Sequence, residues 1–267
     1  MRKFILFSLA LLIITSTVMA ASGSYSATSG LDFAMFKRYA SPAYILNENG
    51  LLTIPIADTI GKGKIAVAAS GINAGEIDGT GVYYSTGTIV FGTSDDVEIG
   101  ISKKALVYTD DFSRTDIGGV TFHLKLRLVN LGDFIPKVSI GMVATSLTDE
   151  NEITKFNTFI DAFAVASSEV TFWGTTFAIH GGAESGFIGD TRSELFFFAG
   201  SSISIIDFIN VAGEYVGAKE TGEEGIINVT AAIRVYKGLE ISLSMLDING
   251  PDKGTSSVQA AYTLELI

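Results

Sequence analysis

Val120-Thr121-Phe122-His123-Leu124-Lys125-Leu126-Arg127-Leu128 alternates without a break. Five apolar side chains fall on one face of an extended chain. Thr121, His123, Lys125 and Arg127 fall on the other, because successive strand side chains point to opposite sides. A helix would scatter both sets around its circumference, so the period of two decides for β structure. The design returns in 228–235, in 239–245 and at the end of the chain, where Val258, Ala260, Tyr262, Leu264 and Leu266 alternate with Gln259, Ala261, Thr263 and Glu265.

Reading the chain this way predicts about twelve strands. They fall near 63–71, 81–91, 96–105, 117–129, 136–145, 157–166, 169–181, 193–201, 207–216, 225–236, 239–246 and 256–267. The connections alternate in length. Residues 72–80, 106–116, 146–156, 182–192, 217–224 and 247–255 form long ones, and 92–95, 130–135, 167–168, 202–206 and 237–238 short ones. Short turns on one side and long loops on the other are the signature of a meander that crosses a membrane. The long loops carry most of the acidic excess. An even strand number with both ends on the short-turn side predicts a closed antiparallel up-and-down transmembrane β-barrel, since an open edge leaves backbone groups unpaired in hydrocarbon. A soluble β-sandwich or lipocalin-like barrel shares the period of two. The charged residues on the polar stripe and the alternating loops favour the membrane.

Composition agrees with this and removes other classes. The 267 residues carry a formal charge of -11 yet a mean hydropathy of +0.39, with 18 Phe and no Cys. Disordered chains are poor in aromatics, nucleic-acid binders need clustered cations, and thiol catalysis or Cys-bound zinc needs cysteine. Arg2 and Lys3, the apolar run 4–14 and Val18-Met19-Ala20 have the three-part form of a signal peptide over 1–20. A membrane anchor is the weaker reading, because Thr15-Ser16-Thr17 interrupts the run short of the roughly 18 residues that a spanning helix needs. The expected layout is therefore a signal peptide at 1–20, an extension at 21–62 that forms a periplasmic tail or a plug, and an outer-membrane barrel at 63–267.

Within that layout, 50–63 (Gly-Leu-Leu-Thr-Ile-Pro-Ile-Ala-Asp-Thr-Ile-Gly-Lys-Gly) resembles the motif preceding the first strand of YjbH-like outer-membrane barrel proteins. Val97-Glu98-Ile99-Gly100, 124–128, 136–141 and 164–168 look like successive hairpins of that family. Gly213 to Gly217, followed by Asn228 and Arg234, is similar to its late barrel segment. The likeness spans roughly 50–246. It departs at Ser168, where a Lys often follows the Ala-Ser pair, and the chain also departs from the common outer-membrane signature by ending in Ile267 rather than Phe. The resemblance implies an outer-membrane location and an association with exopolysaccharide export, and it brings no catalytic residues.

The residues themselves point to a lumen rather than an active site. Lys64, Glu98, His123, Lys125, Arg127, Lys137, Asp161, Glu214, Arg234, Glu240 and Glu265 are the candidates for its lining, and no catalytic, metal or cofactor residues are expected. In a narrow lumen charges of both signs pair and fill it; in a wide one they line a pore. A narrow or plugged pore is the favoured form. Of the two histidines, His123 has Thr121 beside it on the same face, but Thr is a poor nucleophile without special activation, so lining is the expected role. His180 is expected at an interface or loop base. Asp110-Asp111, Asp149-Glu150 and Glu223-Glu224 make a solvated rim that attracts cations without calcium-loop spacing. Tyr83, Tyr84, Tyr108, Trp173, Tyr215, Tyr236 and Tyr262 are candidates for interface belts. The expected partners are outer-membrane lipid, the barrel assembly machinery, and cations, polysaccharide or small solutes. The expected function is channel-like or export-associated; a structural or adhesive barrel and an outer-membrane hydrolase are the alternatives.

Overall fold

The structure is a computed structural model that describes residues 44, 46, 48–77, 80–109, 117–130, 135–149, 157–188, 195–206, 208–218, 224–236, 238–249 and 255–266. The signal-peptide expectation at 1–20, the first part of the extension and most of the loop acids lie outside these residues.

The strands are β1 (Lys64–Ile77), β2 (Thr80–Gly92), β3 (Val97–Tyr108), β4 (Ile117–Val129), β5 (Lys137–Asp149) and β6 (Asn157–Phe172). There follow β7 (Thr175–Ile188), β8 (Phe196–Ile205), β9 (Ile209–Val216), β10 (Ile226–Tyr236), β11 (Leu239–Leu246) and β12 (Thr255–Glu265). Each pairs antiparallel with its neighbours in sequence, and β1 pairs with β12 from Lys64↔Glu265 to Ile72↔Ser257, so the sheet closes into a twelve-stranded barrel. Closure leaves no free edge.

The alternation of β4 shows which face is which. Thr121, His123 and Lys125 are buried, whereas Phe122 is 57% exposed and Leu124, Leu126 and Leu128 are exposed beside it. Polar side chains point inward and apolar ones outward, the reverse of a soluble barrel. Ile89, Phe91, Ile99, Ile101, Ile140 and Met142 continue that apolar exterior on the neighbouring strands.

Several turns differ from the sequence expectation, among them 202–206, where β8 runs on to Ile205 and the next strand begins at Ile209. Residues 167–168 do not turn: β6 runs on to Phe172, and the reversal falls at Trp173 and Gly174, both left-handed with φ of 51° and 74°. Ser167 mimics a loop residue in sequence but is a buried, inward-facing strand residue. The expected long connection 72–80 is instead strand up to Ile77 and again from Thr80, with a register shift between Asn73 and Gly75. Residues 72–75 read as a loop, yet a strand that rises past the apolar band no longer needs alternation, and a glycine there marks a bulge. At the opposite end Gly238 combines a φ of 79° with a Cβ position only 2.3 Å from the Thr263 carbonyl oxygen, so only glycine fits that turn.

Candidate functional site

Residues 44, 46 and 48–60 lie inside the barrel. Of the two forms expected for the extension, tail or plug, this stretch has the geometry of a plug. Its fold is a compact turn: Leu51 N donates to Ile54 O at 3.0 Å, Ile56 N donates to Asn49 O at 3.3 Å, and Gly50 bridges to Pro55. Gly50 presses on the Tyr44 side chain, where an added Cβ would sit 2.2 Å from Tyr44 Cβ. Leu46, Leu51, Ile54 and Ile56 pack with Val143, Phe163, Val165, Phe196 and Phe198 in one buried apolar cluster.

On β3 and β4 the wall holds this segment with ions. Glu98 and Lys125, cross-strand neighbours in register, lie 3.1 Å apart and are sealed from water. Lys125 Nζ also donates to the Asn49 and Ile56 carbonyls at 3.0 and 3.2 Å. Its three protons thus have three acceptors. Glu98 accepts from Asn49 Nδ2 at 3.3 Å and from the Ile60 amide at 3.0 Å. A buried pair offsets its desolvation only when its remaining hydrogen-bonding groups are satisfied, and here the plug satisfies them.

Opposite, on β9, Glu214 receives the tip of the turn. Its carboxylate accepts from the Leu52 amide at 3.1 Å, from the Thr53 amide at 3.0 and 3.1 Å, and from Thr53 Oγ1. Asn228 Nδ2 adds a fourth donor group at 2.8 Å. Successive backbone amides aimed at one carboxylate form an anion-binding nest.

Towards the short-turn end the contacts become partly wet. Asp58 meets Lys137 Nζ at 2.8 Å and Arg127 Nη1 at 3.6 Å; Lys137 also reaches Glu169 at 2.8 Å, and Arg127 Nε reaches Asp96 at 3.0 Å. Ala57 is bracketed by two hydroxyls: Ser139 Oγ donates to its carbonyl at 2.6 Å, and its amide donates to Ser167 Oγ at 2.8 Å. Arg234 lies 3.9 Å from both Glu48 and Glu240. Burial holds the Glu48 carboxyl above its ordinary range, while Lys64 and Arg234 draw it back. Gln259 Nε2 donates to the Tyr44 carbonyl at 3.0 Å.

Strand register places every expected lining residue on the inward-facing positions, though not in one cluster. Glu98, His123, Lys125, Glu214 and Glu240 are buried; Arg127, Lys137 and Arg234 are half-buried. Asp161 lies opposite Val143, while Lys64 and Glu265 face each other across the closing seam, with Glu265 exposed. His180 corrects the expectation of an interface position: β7 continues through Gly181 and Gly182, so His180 is buried mid-strand with Nδ1 2.8 Å from Ser167 Oγ. The expected belt also divides. Tyr84 and Tyr108 are buried and inward, Tyr83 is buried, and Trp173 and Tyr215 are exposed on the outside. Sequence reading missed Asn49, Asp58, Glu169, Asn210 and Asn228, although the parity that selected Lys125 also selects the three of these that lie on strands.

His123 and Thr121 do not meet. Thr121 Oγ1 pairs with Thr145 Oγ1 at 3.0 Å, and His123 Nε2 instead lies 3.5 Å from Glu98 Oε1. Among the described residues no three His, Asp or Glu side chains converge as a metal-binding group.

Neither a protein-family model nor a curated protein matches the chain. Among solved structures, the KdgM porin aligns with 74% of this chain and 98% of its own at 11% identity and a TM-score of 0.48. Omp33, an outer membrane protein of Acinetobacter baumannii, aligns with 75% and 98% at 7% identity and a TM-score of 0.47. An outer membrane channel from Pseudomonas putida F1 aligns with 78% and 98% at 9% identity and a TM-score of 0.43. Each is a likeness of barrel outline, and nothing about solute or activity transfers with it.

Proposed function

We propose that the protein is a non-catalytic outer-membrane β-barrel that conducts or helps export a polysaccharide or small solute, its lumen closed at rest by residues 48–60. The carrying observation is the polarity of the wall behind that segment. Glu98, Lys125, Ser139, Ser167, Glu214, Asn228 and Gln259 are all buried there. A permanent filling is served as well by an apolar wall, because buried ions bring a desolvation penalty. A wall that meets water or solute after the segment shifts needs the polar lining found here. The apolar exterior suits hydrocarbon, and the family resemblance of 50–246 supports a link to exopolysaccharide export. Partners on this reading are outer-membrane lipid, the machinery that inserts barrels, and the solute itself.

Conductance tests the reading directly. The chain has no Cys, so Ala57→Cys with Ser167→Cys introduces a single disulfide between plug and wall. In planar bilayers the reduced pair should show conductance steps that oxidation abolishes. Steps absent in both states reject the channel. That result favours a structural barrel, a reading supported by the packing of Leu46, Leu51 and Ile54 on Phe163, Phe196 and Phe198. Hydrolysis is the less favoured alternative: Ser167 and His180 are in hydrogen-bond reach, but both are buried and the Ala57 amide caps the hydroxyl.

A further inference from the structure

The short-turn end of the barrel is not uniform. The β2–β3 turn is polar: Thr93, Asp95 and Asp96 are exposed, and Asp96 pairs with Arg127. Above it, the outward side of β3 runs Val97, Ile99, Ile101 and then Lys103, so its apolar stretch is bounded at both ends. On β6 to β9 exposed apolar side chains among the described residues continue into the turns. Outward Phe177, Ile179, Ile203 and Ile205 lead towards turns that expose Trp173, Ile206 and Phe208, the last two flanking Asp207 in sequence, and Trp173 is 89% and Ile206 77% exposed.

These tips sit where other residues would be less strained. Trp173 and Ile206 have φ of 51° and 52°, a region that favours Gly, Asn and Asp and is an outlier for a β-branched side chain. Large apolar groups are retained there against the backbone preference. The turn backbone is also prepared for a medium of low polarity: Ile206 N donates to Gly174 O at 2.8 Å, Phe208 N to Ile205 O at 3.0 Å, and Arg234 N to Phe208 O at 2.8 Å. The Trp173 ring stacks on Phe172 with centroids 4.5 Å apart, which joins the tip to the outward face of β6.

We infer that the side chains of Trp173, Ile206 and Phe208, at two adjacent turns, are immersed in the headgroup layer of the membrane, while the turn at 93–96 stays in water, so that the barrel sits unevenly in the bilayer. The occupant of this apolar patch is lipid, because the patch is continuous with the exterior that faces hydrocarbon. Trp is suited to that layer, having an apolar body and an N–H that finds partners among headgroups. The inference rests on the membrane-barrel reading, and its test separates the two.

Since the chain has no cysteine, Phe122→Cys, Trp173→Cys and Ser94→Cys each supply one site for a nitroxide label. The full protein is inserted into phosphatidylcholine–phosphatidylglycerol vesicles. Relaxation of each label by dissolved oxygen, which concentrates in lipid, is compared with relaxation by a water-soluble nickel chelate. Oxygen should dominate at 122 and nickel at 94, and the ratio of the two effects at 173 should fall between those limits. In the unlabelled protein Trp173, the only tryptophan, should shift its emission to the blue and lose quenching by aqueous iodide when it passes from urea into vesicles. A ratio at 173 equal to that at 94, with oxygen dominance at 122, overturns this inference alone; nickel dominance at 122 overturns the barrel reading. Oxygen dominance at 94 overturns the uneven immersion. Shielding of 173 from both reagents, with the protein running as a dimer, assigns the patch to a second copy and overturns the lipid.

Discussion

Glu98 and Lys125 lie 3.1 Å apart on neighbouring strands, and each also grips the same stretch of plug, Asn49 to Ile60. Removing one partner therefore strands a charge and frees plug backbone together. Lys125→Met should destabilise the folded barrel by about 3–5 kcal/mol, the usual cost of leaving a buried ion uncompensated. Adding Glu98→Gln to it should restore a large part of that loss. Urea unfolding from vesicles measures both, and a double variant no more stable than Lys125→Met alone would contradict the pairing.

Glu214 governs the tip of the plug. Glu214→Ala removes the acceptor of the Leu52 and Thr53 amides, each such charged bond contributing about 1.5–3 kcal/mol. Hydrogen exchange at those two amides should accelerate by at least about tenfold, since each 1.4 kcal/mol is a factor of ten. Strand amides of β4 and β5 should keep their protection. Glu214→Gln, which retains one oxygen, should fall between.

Gly100 leaves room for the ring of His123: a Cβ at position 100 would lie 2.0 Å from His123 Cε1. Gly100→Ala should lower stability by about 1–3 kcal/mol through overpacking. His123→Ala in the same chain removes the clash, so the double variant should lose less than the sum of the single losses. Thermal unfolding, read as the loss of the fast-migrating folded band on unheated gels, shows the coupling.

Glu48 provides a pH dependence of known sign. Its carboxyl is raised in the fold mainly by burial, so folding favours the protonated form. That contribution is complete below the unfolded carboxyl range, about 4.3, and is lost as pH rises through the higher folded value. Glu48→Gln should match or exceed the natural protein in stability at pH 8, and the difference should vanish at pH 4. An advantage for Glu48 at pH 8 would show that its contact with Arg234 outweighs its burial.

Much of the wall is legible in the chain because alternation is a local signal: Lys125 and Glu98 are inward by parity alone. Turn positions were less legible. Ser167 and Ser168 have loop-like composition, whereas the true turn carries Trp173 at a left-handed position without the usual Asn or Asp beside its glycine. The plug's seat was not legible. Thr53 meets Glu214 across 161 positions, and Gln259 meets Tyr44 across 215. No periodicity records such pairings, which arise only when the sheet has curled around them. His180 was misplaced for a related reason, since Gly181 and Gly182 look like a strand end but continue β7.

The seam has a consequence for the order of assembly. β1 follows the plug after only three residues, and its second side stays unpaired until β12 arrives from the far end of the chain. Pairings of such separation are slow to form. Leu266 N closes on Gly63 O at 2.7 Å, so the last ladder bonds sit at the tether of the plug itself. The tether of the plug and the bonds that close the cylinder therefore share the same few backbone groups, so closing the seam fixes the point from which residues 48–60 enter the lumen.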